Sequence, residues 1–247
     1  MKYVTVAFIL MSRRQKKDYI AVFRHLRSFL PEPLRLKNVV ADFESALRGA
    51  LGDVFPEVSY TGCFFHWTQA VYRKVQQFGL AASYMRRSSL FKKVRSLLSL
   101  PLLPHAQIRE AFEDLSRGVQ NGQLQALLDY VQAQWINGTI PPQEWSVYRR
   151  LRRTDNHLEG YHHRLNQQAL QHKMKPLMLL DLLDQEIELQ EACMQMAQVN
   201  HKQRLSTTDQ ALIRLWDAYQ SKAITTAEFL LEAGFPYLPD IGEEEEE

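Results

Sequence analysis

Residues 38–66 read NVVADFESALRGALGDVFPEVSYTGCFFH, and the order of apolar runs and breakers in this stretch decides the fold class. Asn38 to Ala41 is a short β-rich run closed by Asp42. Phe43 to Leu51 carries its apolar residues at helical spacing up to Gly52, and Val58 to Gly62 is another β-rich run that leads into a helix from about Phe64 to Gln77. Working outward toward the N-terminus, Tyr3 to Leu10 is rich in Val, Ile, Phe and Thr without Gly or Pro, which predicts a strand buried on much of both faces. From Lys17, the positions Tyr19, Ile20, Val22, Phe23, Leu26, Phe29 and Leu30 predict a helix stopped by Pro31 and Pro33. Strand and helix alternate through this region, the pattern of an α/β fold.

Beyond Gly79 the strand runs cease. Helices are predicted near Ser83–Leu100, His105–Arg117 and Leu124–Trp135, with Pro101 and Pro104 between the first two, so this part reads as an all-helical insertion. A polar segment follows at 152–166, RRTDNHLEGYHHRLN, whose second half sets Leu158, Tyr161, Leu165 and Ala169 on one helical face. A long amphipathic helix is predicted over Leu177–Val199, with shorter ones near Asp209–Tyr219 and Thr226–Ala233. The expected organisation is an α/β core over 1–80, the helical insertion over 81–144 and a return helix over 145–175. A helical C-terminal region over 176–238 and an acidic tail over 239–247 complete it.

With 247 residues, 45% apolar and 23% charged, the composition is that of a folded globular protein and excludes disorder over most of the length. No apolar run approaches the roughly 18 residues of a membrane span, so a soluble protein is expected. Cys63 and Cys193 lie far apart and no secretory leader is recognisable, which points to a reducing compartment. The net charge of +2 conceals an asymmetry. Through residue 170 there are 24 Lys and Arg against 13 Asp and Glu; beyond it there are 6 against 15. A basic front half suits a polyanion, because neutralised phosphates release counterions, but a merely solvated basic surface has the same composition.

Few residues are placed to carry chemistry. Asp42 follows a strand and precedes a helix, which puts a carboxylate at the carboxyl edge of a sheet, where open α/β folds bind ligands; the same position suits a helix N-cap. Glu159, three residues after Asn156, has the spacing of a capping box, yet Arg152, Arg153, Asn156, His162, His163 and Arg164 crowd donors around it. Such a cluster suits phosphate and a metal, or an internally paired helix start. Cys63 and His66 form a CxxH pair; two ligands do not complete a structural zinc site, and a small buried cysteine beside a packed histidine is the alternative.

Taken together, four blocks resemble the catalytic core of Mutator-like element (MULE) transposases across roughly residues 3–170. They are VTVAFILMSRRQKKDYIAVFRHL at 4–26, VVADFESALRGALGDVFPEVSYTGCFFHWTQAVYRKVQQFGL at 39–80, the stretch ending LLSLPLLP, and RTDNHLEGYHHRLN at 153–166. The resemblance implies a ribonuclease H-like sheet interrupted by a helical insertion, with three acids holding two divalent metals, Mg²⁺ or Mn²⁺, for DNA strand cleavage and joining. It places the second acid on Asp42 and the third on Glu159, and gives Cys63 and His66 a supporting role. Arg152, Arg153, Asn156, His162, His163 and Arg164 would meet the nucleic acid. Double-stranded DNA as partner, self-association and a nuclear location are further expectations. In the family the first acid lies on a strand preceding the segment matched by Tyr3–Leu10, and this sequence has no Asp or Glu before Asp18. The sheet is therefore expected to lack its first two strands, metal binding to be weak, and the chain to be inactive in cleavage by itself. The rival expectation is a host-adopted, non-catalytic module that binds DNA or protein.

Overall fold

A computed structural model describes residues 7–81, 89–150, 153, 165, 167, 175–197 and 206–234. The α/β part contains helix α1 (Lys16–Ser28), strand β1 (Asn38–Ala41), helix α2 (Ser45–Val54), strand β2 (Ser59–Gly62) and helix α3 (Phe64–Gln77). Among the described residues the sheet is this one parallel pair, with Asn38 opposite Ser59 and Ala41 opposite Gly62. Parallel pairing requires a crossover, and α2 supplies it. The side chains of Val39, Ala41 and Tyr60 share one face of the pair. On that face Leu51, Val54 and Phe55 form a small core with Ile20 and Phe23 of α1.

The fold is thus mixed α/β with helices in the majority. Two local expectations are corrected. Ala7–Leu10 is not a strand, and Ile9 and Leu10 are exposed, while the rest of the predicted strand lies outside the described residues. High β-propensity makes a strand only where a neighbour completes the hydrogen bonds. Gly52 does not end α2, which continues to Val54. Gly52 faces solvent, and its cost of about 1 kcal/mol in a helix interior is offset by burial of Val54 and Phe55 just beyond it.

The remaining helices are α4 (Ser89–Leu98), α5 (His105–Ser116), α6 (Gly122–Val131), the short α7 (Pro142–Trp145), α8 (Pro176–Ala197), α9 (Thr207–Gln220) and α10 (Thr226–Ala233). The main core joins α3 to α4, α5, α6, α7, α9 and α10 rather than to the sheet. Trp67 of α3 stacks on Trp145, centroids 4.6 Å apart, and Trp135 meets Trp67 edge-on at 4.7 Å. Trp216 and Phe229, from α9 and α10, belong to the same apolar cluster. The Trp216 indole N–H donates to the Leu102 carbonyl at 2.9 Å, so the C-terminal helices are tied to the insertion. Trp135 reaches the centre because α6 runs into a π-helical turn over Gln132–Ile136, whose wider coil turns Trp135 and Ile136 inward.

Candidate functional site

The parallel register brings two chain segments side by side at the carboxyl end of the sheet. Asp42 follows β1, Cys63 follows β2, and the Cys63 N–H donates to the Ala41 carbonyl at 2.8 Å. Asp42 is half-buried. Its Oδ1 accepts the Glu44 N–H at 2.7 Å, closing the turn that leads into α2. The N-cap position is Glu44 rather than Asp42, so Asp42 organises the approach to the helix without capping it. Tyr60, on the neighbouring strand, donates its hydroxyl to the Asp42 carbonyl at 2.6 Å. Burial holds the Tyr60 phenol well above its usual range, so it stays a neutral donor. Two residues on, Glu44 accepts the Tyr19 hydroxyl at 3.0 Å, and burial followed by this bond raises the Tyr19 pKa.

Between the two carboxylates, Phe43 turns the other way. Its ring lies over Gly62 and meets Trp135 edge-on, with centroids 4.7 Å apart. A β-carbon at Gly62 would fall 2.0 Å from the Phe43 ring, so only glycine admits this crossing. The Asp42–Glu44 turn is therefore pinned at three points: by Tyr60, by Tyr19 and by the tryptophan cluster of the insertion.

The chain comes back to the same edge after the insertion. The Phe64 N–H, at the first turn of α3, donates to the Arg153 carbonyl at 2.7 Å. The side chain of Arg153 departs from expectation. It is 5% exposed, ion-paired to Asp209 at 2.5 Å, bonded to the Arg150 carbonyl and set over the Trp216 ring. A guanidinium so enclosed holds α9 to the returning chain. A buried cation requires such a partner.

Cys63 is fully buried, at the N-cap of α3. His66 sits in the first turn of that helix, and its Nδ1 is buried without a hydrogen-bond partner among the described residues. No group of three or more His, Cys, Asp and Glu side chains converges as a metal site among the described residues. Asp42 by itself offers a hard oxygen ligand of the kind Mg²⁺ prefers. The predicted site residues Arg152, Asn156, Glu159, His162, His163 and Arg164 lie outside the described residues.

With that geometry in view, a comparison with protein families decides the affiliation of the N-terminal part. Residues 1–70 match the family model of the MULE transposase domain. Over residues 1–70 the chain is similar to the MULE transposase domain. The matched stretch contains β1, β2, Asp42, Cys63 and His66, and ends within α3; Arg153 and Glu159 lie beyond it. No curated protein and no solved structure matches the chain. Among the described residues, no helix is long and apolar enough to cross a membrane.

Residue spacing had singled out Asp42 but not the groups that hold it. Tyr60, Tyr19 and Phe43 act through contacts between segments far apart in sequence. The one local signal was the aromatic Phe43 set between two acids.

Proposed function

We propose that the chain is a derivative of a MULE DNA transposase that holds duplex DNA against the carboxyl edge of its sheet, with Asp42 and Glu159 as the acids of a ribonuclease H-like site. The observation that supports this most is positional. Asp42 stands at the end of β1 inside the family match, and the chain is returned to the same edge at Arg153, six residues before Glu159. Asp42 and Glu159 would hold Mg²⁺ or Mn²⁺; when bound, such a pair of ions activates the attacking oxygen and stabilises the leaving one. Two carboxylates hold such ions weakly, and on this reading the chain by itself binds duplex without cutting it. DNA is held by phosphate contacts from the basic residues preceding residue 170, which position the duplex without reading its sequence. The location in keeping with this reading is the nucleus.

The test combines a duplex-binding titration at several salt concentrations with a plasmid-nicking assay in Mg²⁺ and in Mn²⁺. Binding that weakens linearly in log salt, with no nicking in either metal, is the expected result. Absence of salt-dependent binding refutes the DNA reading. Nicking that disappears in Asp42→Ala refutes the claim that the chain is inactive by itself.

A further inference from the structure

The large hydrophobic side chains that are exposed among the described residues fall into two segments of opposite charge. The first comprises Ile9, Leu10, Phe29, Leu30 and Leu36, between 37% and 72% exposed. Residues 7–37 around them carry eight Lys and Arg against two Asp and Glu. Lys16 and Arg27 are engaged by Asp53 and Glu57, whereas Arg13, Arg14, Lys17, Arg24, Arg35 and Lys37 have exposed side chains.

The second segment is α8. Leu177, Met178, Leu180, Ile187 and Leu189 are between 45% and 75% exposed. From Leu177 to Ala192 the one buried side chain is Glu186. The helix contains five acids and no Lys or Arg. Its exposed acids Asp181, Asp184, Glu188 and Glu191 recur at three- and four-residue intervals, so they line one stripe, and Leu177, Leu180 and Ile187 interleave with it. A 22-residue helix that leaves this many leucines in water is a surface made to be covered.

We propose that the acidic apolar face of α8 docks on the basic apolar segment 7–37 of a second copy of the chain. Charge complementarity selects the partner, since each surface supplies the sign and the hydrophobic groups the other lacks. Both surfaces are exposed in the same folded chain, so neither covers the other within one copy. A second copy brings them together. The two patches differ, so in each such contact one copy offers α8 and the other its segment 7–37.

The experiment uses the full chain, treated with nuclease and freed of nucleic acid, and measures mass by sedimentation equilibrium from about 1 to 100 μM, the range of ordinary transient interfaces. Two exposed-charge variants separate the patches: Arg13→Glu with Arg24→Glu, and Asp181→Lys with Asp184→Lys. Each variant alone is expected to associate at least tenfold more weakly than the parent chain. Mixed in equal amounts, each retains one intact patch, and a one-to-one complex forms. The apolar variant Leu177→Ser with Leu180→Ser gives an independent reading if a charge variant loses its helical circular dichroism, and the same loss of association is expected. A parent chain that stays monomeric throughout overturns the proposal. So does association that vanishes with nuclease treatment, variants that associate as strongly as the parent, or a mixture that stays monomeric.

Discussion

Gly62→Ala tests the way the carboxyl edge of the sheet is fastened to the helical core. The added β-carbon would sit 2.0 Å from Phe43 Cε1 and 2.4 Å from Cζ. Carbon atoms pack at about 3.5–4.0 Å, so the ring must move by roughly 1.5 Å, which disturbs its edge contact with Trp135. Loss of that contact costs about 0.5–1.5 kcal/mol. Overpacking against the displaced ring adds about 1–3 kcal/mol, and replacing glycine in a strand returns about 0.5–1 kcal/mol. The net destabilisation is about 2 kcal/mol, or roughly 4–8 °C in Tm for a chain of this size. The assay is a double-mutant cycle by thermal and denaturant unfolding, with Phe43→Ala as the second change. With the ring removed there is room for the new methyl group, and Gly62→Ala should be neutral or slightly stabilising. The coupling between the two sites should then be about 2 kcal/mol, within the range for residues in contact. An equal cost for Gly62→Ala in both backgrounds would show that the ring is not what the glycine accommodates, and the account of the pinned turn would fail.

Four other substitutions have defined outcomes. Asp209→Ala leaves the buried Arg153 guanidinium without its carboxylate, and the loss should be about 3 kcal/mol, typical of breaking a buried pair from one side; Arg153→Met should lower Tm yet leave the salt slope of duplex binding unchanged, and a slope reduced by about one would restore Arg153 to the phosphate surface. The Tyr60 phenol is raised by burial, so above about pH 10 the unfolded chain sheds a proton that the folded chain retains, and stability must fall as pH rises. Tyr60→Phe should flatten part of that alkaline decline while losing about 1 kcal/mol at neutral pH with the Asp42 carbonyl bond; an unaltered alkaline slope contradicts the assignment. Glu228 is held below the usual carboxyl range, chiefly by the Thr225 N–H and also by its hydroxyl, in the capping box of α10. Its contribution is present above the ordinary glutamate pKa of about 4.3 and lost on acidification below it, so unfolding curves of Glu228→Gln should converge with those of the parent chain as the pH is lowered. Curves that stay parallel would remove the capping box as the cause.

Local pattern carried the reading wherever the forces are local. Asn38–Ala41, Phe64–Gln77 and Thr226–Ala233 form as expected, because apolar spacing and flanking breakers act within a few residues. It failed at Ala7–Leu10 and Gly52, where the result depends on partners elsewhere: a neighbouring strand in one case, a sheet face receiving Val54 and Phe55 in the other. At the candidate site, Asp42 was legible from its place after a strand. The destination of Arg153 was not, since nothing within 152–166 reveals that Asp209 waits fifty-six residues downstream.

What the sequence determined by itself is the alternation of β1, α2, β2 and α3, the charge asymmetry between front and back, and the family to which residues 1–70 are matched. Only the tertiary structure decided that the Asp42 turn is anchored to the tryptophan core through Phe43, and that α9 and α10 share that core. It also decided that Arg153 belongs to the interior. Propensity and periodicity act along a few turns of chain, whereas close packing and the pairing of buried charge are settled between segments that meet only when the whole chain has folded.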